Sequence, residues 1–395
     1  MSLISDHTET VVYKGANIKL PLFLDYQSTT PLAPQVHEVL VAALKVPGNS
    51  ASSTHIFGLD AKEKIEKAKE QIADLIAARP DEIIFTSGAT EANNLALLGY
   101  ARQFKGKGHI ISVETEHNSV LSALNELNDE GFDVTYLPVE KDGRLSLKKL
   151  EAALSAQTIL VSIHAANNET GTLQEIEKIG ALCRTRKITF HTDAVQALST
   201  KSIDVIQNEI TLLSLSGHKL YGPQGIGALY VKRGTPFVSS SQGGEHQQNI
   251  RAGTLPTALI AGLGEACQLA KECRNKDDQQ LLHLSAIVKD KLKSELGDEI
   301  QFNGNQRARI PGCLNFTFKD IDAEDLLLSN PSLALSTGSA CASTSHAPSH
   351  VLLAMGLSAS EANGTVRMGL GRYVTEIEAD FAASLLVEAY RKMKT

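Results

Sequence analysis

The sequence predicts an α/β fold: a three-layer αβα unit around a mainly parallel sheet, joined to a smaller C-terminal α+β unit. Three observations carry this. Short apolar runs rich in β-branched residues recur between residues 81 and 231, helical patterns separate them, and the alternation ends near residue 255, where a long helix begins. Runs that are apolar throughout suit strands covered on both faces. Helices interleaved with such strands imply a parallel sheet between two helical layers.

The elements follow in order. Residues 1–30 form an N-terminal segment expected to pack on the small unit. Residues 61–78 read as an amphipathic helix whose lysines and glutamates form a solvated face. Strand EIIF (82–85) leads through the turn 86–90 into a helix reaching residue 104. Further strands are HIISV (109–113), residues 132–137, ILVSIH (159–164), ITFH (188–191), ITLLSL (210–215) and IGALYV (226–231). These place a large unit at 31–258. A smaller one at 259–395 holds a helix over 259–296, strands near 312–319, a Ser/Gly/Ala-rich loop at 332–349 and a final helix.

Composition narrows the function classes. Hydrophobic residues make up 42% and charged residues 21% of the 395, which is ordinary globular usage and enough chain for two domains. A net charge of -7 argues against DNA or another polyanion as the main ligand. The 5 cysteines include no C-x-x-C, so neither a disulfide framework nor a zinc site is expected, and no metal. The first twenty residues carry acids and no apolar core, unlike a signal peptide. No apolar run nears the ~18 residues of a membrane span. A cytoplasmic protein off the membrane is expected, its cysteines reduced.

In open α/β sheets ligands collect at the carboxyl ends of the strands. After EIIF come Ala89, Thr90 and Glu91 at a helix start, where small residues expose N–H groups to an anion; alone, the motif reads more readily as a plain N-cap. After HIISV comes His117, and after ILVSIH the turn containing Asn168; each is unremarked alone. Asp193, after ITFH and three residues before Gln196, is costly at the end of a buried strand unless it meets a cation or several donors. After ITLLSL, Ser216 and His218 flank Gly217 and precede Lys219. A buried lysine is expensive, and condensation with a carbonyl would remove its charge. Cys341 sits in a stretch of small residues (335–343), where reactivity is its natural use; the other four cysteines read as buried small hydrophobes.

At SGHK (216–219) and STGSACAS (336–343) the chain resembles the cysteine desulfurases of the NifS/IscS type, group I, within the aspartate-aminotransferase-like fold of pyridoxal-phosphate (PLP) enzymes. The likeness runs from LFLDYQSTTP (22–31) to VRMGLGRYVTEIE (366–378), through GNSASSTHIFG, FTSGATEANNLAL, ETEHNSVL, NNETG, HTDAVQ and RAGTLPT. It implies that Lys219 joins PLP covalently and moves the substrate Cα proton, that Asp193 pairs with the pyridine nitrogen, and that His117 stacks on the ring. Gln196 would bond the phenolic oxygen, and Ala89, Thr90, Ser216 and His218 would hold the phosphate. Thr254 would reach the phosphate of a neighbouring subunit, which requires a homodimer; Arg367, helped by Asn168, would take the substrate carboxylate; Cys341 would be the nucleophile.

The implied reaction converts L-cysteine to L-alanine and leaves its sulfur on Cys341 as a persulfide. A sulfur-acceptor protein, either an iron–sulfur scaffold or a carrier for tRNA or cofactor thiolation, would receive it. A PLP-dependent selenocysteine or cystine lyase is the alternative. An accessory dimer without turnover is a third reading, opposed by the joint presence of Lys219, Asp193, His117, Arg367 and Cys341. Three departures stand out: a less basic segment at 232–237, an end at AYRKMKT without a longer tail, and Gln224 where many relatives carry lysine. The first two bear on the acceptor, and none is expected to touch the chemistry.

Overall fold

The computed structural model describes residues 8–239, 243–244, 246–337 and 347–395. Strands β1 (Glu9–Tyr13) and β2 (Ala16–Leu20) form a hairpin, followed by β3 (Leu22–Phe23) and helices α1 (Pro34–Leu44) and α2 (Ile56–Ile76). The alternating segment comprises β4 (Ile83–Thr86), α3 (Ala89–Ala101), β5 (His109–Val113), α4 (Asn118–Asp129), β6 (Asp133–Leu137), α5 (Leu147–Ala153), β7 (Thr158–Ser162), α6 (Ile176–Thr185), β8 (Thr189–Asp193), β9 (Leu212–Ser216) and β10 (Gly227–Val231). The long helix α7 (Thr257–Leu296) leads to β11 (Ile300–Phe302), β12 (Cys313–Phe318), α8 (Ala323–Leu328), β13 (Leu333–Ala334), β14 (Ser336–Thr337), α9 (His350–Ala354), α10 (Ala359–Asn363), β15 (Thr365–Gly369) and α11 (Glu376–Lys394).

Strands β4 to β10 form one 7-stranded sheet in the order β4-β10-β9-β8-β7-β5-β6. All neighbours are parallel except at β10, which runs antiparallel to both β4 and β9. Every residue of β4, β5, β9 and β10 is buried, as their uninterrupted apolar runs demand. Each fully buried leucine here, such as Leu212, Leu213 and Leu215 of β9, contributes roughly 1.5–3 kcal/mol of transfer free energy. Polar residues inside the sheet bond across it. His191 of β8 meets Ser162 Oγ of β7 at 2.8 Å and Ser214 Oγ of β9 at 3.1 Å, and burial pushes its pKa down to about 4.

A second, antiparallel sheet has the order β11-β12-β15-β14. The N-terminal hairpin attaches to this end of the molecule. Tyr13 OH donates to Asp380 Oδ2 of α11 at 2.8 Å and packs edge-on against Phe381, and β3 pairs with β13. Thr375 and Glu378 form the capping box that starts α11.

Local differences from the sequence reading have physical causes. Helix α2 starts at Ile56 rather than 61 because His55 Nδ1 accepts the Gly58 N–H at 3.2 Å and caps it. The expected loop at 332–349 opens with two short strands, because β14 completes the edge of the second sheet. Cys341 and the rest of 338–346 lie outside the described residues. Among the other cysteines, Cys183, Cys267 and Cys313 are buried, but Cys273 is partly exposed, contrary to the reading of all four as core. No helix among the described residues is long and apolar enough to cross a membrane.

Candidate active site

A cavity of about 560 Å³ lies at the carboxyl ends of the parallel strands. Residues just before β10 join it because that strand runs the other way, which brings Gln224 and Gly225 to the same end.

Its first wall is the turn between β4 and α3. Gly88 has φ 153° and ψ -178°, a conformation essentially reserved for glycine. Gly227 of β10 packs on it so closely that a Cβ there would lie 2.8 Å from Gly88 Cα. The start of α3 has no side-chain cap, so the N–H groups of its first turn at Ala89 and Thr90 face the cavity and suit an anion. Glu91 lies beside them, accepting from Ser87 N–H at 2.6 Å and from Arg251 Nε at 2.9 Å. Burial raises the Glu91 pKa, but these bonds outweigh it and hold the carboxyl below its usual range.

Asp193 closes β8 with its carboxylate against the cavity. Oδ1 accepts the Val195 N–H at 3.0 Å and Oδ2 accepts Asn93 Nδ2 of α3 at 2.7 Å. The donors expected for a buried acid are therefore present. His117 caps α4, with Nδ1 accepting the Ser119 N–H at 3.1 Å. Nearby, buried Glu116 accepts the His164 N–H at 2.7 Å and lies 3.2 Å from His164 Nδ1. His164 also lines the cavity.

Lys219 follows β9 on a single 3-10 turn. Its Nζ donates to the carbonyls of Gln27 and Ser28, the latter at 2.7 Å. Thr30 locks this contact: its N–H donates to the His218 carbonyl at 2.9 Å while its Oγ1 accepts the Tyr221 N–H at 2.9 Å. Burial, then the adjacent Lys219 ammonium, push His218 down to about 4, so its imidazole is neutral at pH 7. Gln196 Nε2 donates to the same Gln27 carbonyl at 3.0 Å. Arg367, in the middle of β15 and buried, donates through Nη2 to Ser28 Oγ at 2.6 Å and Asp25 Oδ1 at 2.9 Å. Its Nη1 donates to the Asn168 carbonyl at 3.2 Å. Ser28 thus receives both the lysine amine and the arginine guanidinium.

Of the side chains singled out in the sequence, Lys219, His117, Ala89, Thr90, Asp193, Gln196, Ser216, His218, Asn168 and Arg367 all line this cavity. Thr254 does not; it is exposed. Gln224 lines the cavity and donates to Thr29 Oγ1 at 3.4 Å, so that departure sits at the site rather than away from it. Strand-end reasoning missed Asp25, Gln27, Ser28, Asn93, Ser119 and His164. His164 closes a run already read as a strand and was within reach of that rule. Asn93 and Ser119 sit inside helices, and 25–28 come from a segment with no strand pattern of its own.

The Aminotransferase class-V family model matches residues 22–381. The chain belongs to that family. It is 45% identical over 383 residues to the cysteine desulfurase IscS of Vibrio vulnificus (strain CMCP6), covering 95% of this chain and 94% of that protein. Among solved structures, a NifS-like protein superimposes with a TM-score of 0.86 at 31% identity, covering 94% of this chain and 99% of that one. SspA in complex with cysteine superimposes with a TM-score of 0.77 at 38% identity, covering 89% and 99%. Within the class-V aminotransferases the chain groups with the NifS/IscS-type cysteine desulfurases, and their cofactor is PLP.

The donor set fits PLP. An uncapped helix start suits its phosphate, a hydrogen-bonded carboxylate at Asp193 suits its ring nitrogen, and the Lys219 amine lies in the same cavity.

Proposed function

We propose that this class-V aminotransferase is a PLP-dependent cysteine desulfurase. Sulfur passes from L-cysteine to the Cys341 thiol: the substrate C–S bond breaks, an S–S bond forms, and L-alanine and a Cys341 persulfide result. The observation that carries the reading is the sharing of Ser28 by the Lys219 amine and the Arg367 guanidinium, which puts an amine and a carboxylate receptor a few ångströms apart in one cavity.

The protein side of the reaction follows from these positions. Lys219, Ala89, Thr90, His117, Asp193, Gln196, Ser216 and His218 hold PLP, which when bound supplies an electron sink for charge developing at the substrate Cα. Asp193 keeps the ring nitrogen's proton in place. Arg367 takes the α-carboxylate, with Asn168 beside it, and so orients the substrate Cα–H. Lys219 then moves the proton at that carbon.

Cys341 lies outside the described residues, but both flanks of its segment support its role. Ser336 of β14 pairs in register with Arg367, and Ser349 Oγ donates to Glu169 Oε2 at 2.5 Å, one residue from Asn168. From Thr337 to Cys341 is four residues, a reach of up to ~14 Å. The other parts of the reading are a large PLP-binding unit at 31–258, a small unit at 259–395 with residues 1–30 packed on it, and a homodimer in which Thr254 reaches the neighbouring subunit's phosphate site. Leu44 and Val46, at and just after the end of α1, and Ile56, Phe57 and Leu59, in the first turn of α2, are exposed and are assigned to the face for that second copy. The persulfide goes to an acceptor protein of iron–sulfur assembly or thiolation in the cytoplasm.

The test is Cys341→Ser. Sulfide release from L-cysteine should disappear while the yellow absorbance of bound PLP survives; undiminished release would overturn the assignment of the nucleophile.

A further inference from the structure

We propose that Asn93 and Ser119 form a hydrogen-bond chain, with Asn93 donating to both sides, that ties the Asp193 carboxylate to His117 and fixes His117 as the tautomer with its hydrogen on Nε2. The functional weight of the relay rests on the roles given above to Asp193 and His117. The direction of each bond rests on geometry alone.

The Asp193 carboxylate only accepts, so the Asn93 amide atom 2.7 Å from Oδ2 is the nitrogen, Nδ2. The same Nδ2 lies 2.9 Å from Ser119 Oγ. An amide nitrogen has no lone pair to offer, so Ser119 Oγ accepts there and its own hydrogen points elsewhere. The partner in that direction is His117 Nδ1, at 2.8 Å. Ser119 also brings its backbone N–H to within 3.1 Å of Nδ1, and an N–H can only donate. Nδ1 therefore accepts twice and carries no hydrogen, which leaves the hydrogen on Nε2.

Two features make the relay more than a chance alignment. Asn93 is fully buried and Ser119 nearly so, which keeps water from competing for these groups and strengthens each bond. Asn93 Oδ1, meanwhile, is buried with no partner, so the amide is oriented by its two donor contacts and not by the needs of its own oxygen.

The consequence for the site is specific. The imidazole lining the cavity presents an N–H donor at Nε2 and keeps Nδ1 out of any proton exchange with bound groups. A proton could enter at Nδ1 only if Ser119 turned its hydroxyl away and the backbone N–H gave up its acceptor. Asn93 and Ser119 are thus positioning residues, acting through His117 and Asp193 rather than on substrate.

The experiment uses the full-length, PLP-loaded protein with nitrogen-15 histidine. The His117 signals are identified by their loss in His117→Gln, and long-range proton–nitrogen correlation reads which ring nitrogen bears the hydrogen. We expect a hydrogen-bearing Nε2 and a bare, hydrogen-bonded Nδ1. Ser119→Ala should shift the Nδ1 resonance toward that of an unbonded ring nitrogen, and Ser119→Thr should restore it. Asn93→Leu should shift the same resonance although it does not touch His117. A hydrogen on Nδ1 in the unaltered protein, or an Nδ1 resonance unmoved by Ser119→Ala, would overturn the relay. Alanine formation from L-cysteine is assayed separately: its absence in the unaltered protein would remove the proposed function while leaving the tautomer result standing.

Discussion

Arg367 Nη2 and Asp25 Oδ1 lie 2.9 Å apart, joining the middle strand residue of β15 to the segment just after β3. The guanidinium side chain is 2% exposed, and Asp25 holds one edge of it. Removing one partner of a buried pair typically costs 3–5 kcal/mol. Asp25→Ala should therefore lower unfolding stability by about 3 kcal/mol and raise the KM for L-cysteine tenfold or more, whereas Asp25→Asn should cost less on both counts. Denaturant titration and initial rates of alanine formation check this. An unchanged KM would mean that Asp25 does not orient Arg367 for substrate.

Lys219 is the amine held by the Gln27 and Ser28 carbonyls. In Lys219→Ala the purified protein should lose its covalently held PLP absorbance. Turnover should fall by roughly 10²- to 10⁴-fold, the span of a lost acid–base group, or further. Absorbance spectra and rates with added PLP measure the two effects separately.

Glu169 is buried beside the cavity, and that burial pushes its pKa from 4.5 up to about 7 against the pull of the Ser349 hydroxyl and the Arg367 charge. A carboxyl that holds its proton longer when folded favours the fold at low pH. Its contribution is complete below about 4.5 and is lost as pH rises through about 7. Relative to Glu169→Gln, the parent protein should lose about 3 kcal/mol at most across that window. Denaturation midpoints at pH 5, 6 and 8 test it, and a pH-independent gap would show that Glu169 is ionised in the fold.

His191 gives the opposite sign. Its pKa is lowered from 6.5 to about 4 by burial, so the stability it contributes is present above 6.5 and lost as pH falls through about 4. Each unit of that window is worth up to about 1.4 kcal/mol. His191→Gln, which cannot titrate, should start less stable because the Ser162 and Ser214 bonds are disturbed, yet show a flatter stability profile between pH 6.5 and 4. Equal slopes would remove His191 from the acid response.

Phe57, in the first turn of α2, is 49% exposed. Phe57→Glu should put a charge into the face assigned to the second copy and shift sedimentation from twice the mass of one chain toward a single chain. Phe57→Leu should not. A parent protein that sediments as one chain would remove the dimer.

Much of the fold was legible because burial writes itself into residue type. The strands from β4 to β10 coincide with the apolar, β-branched runs to within three residues, since a strand covered on both faces tolerates little else. Strand ends were legible for a related reason. Polar residues such as Asp193 and Lys219 stand out after such runs, because an unpaired charge there would be costly.

What the pattern did not carry was direction and convergence. Nothing in IGALYV distinguishes an antiparallel strand from a parallel one, because both bury the same side chains; yet the reversal of β10 is what brings Gln224 to the cavity. Asn93 and Ser119 look like ordinary helical polar residues until α3 and α4 pack side by side. Ser28, in a stretch with no periodicity, becomes the meeting point of Lys219 and Arg367 only when the chain returns to it from 191 and 339 residues away. The sequence by itself determined which residues must be buried and which chemical groups stand at the strand ends, because hydrophobic transfer is a property of each side chain. Only the tertiary structure decided which of those groups meet, because a hydrogen bond depends on distances of about 3 Å that sequence separation does not encode.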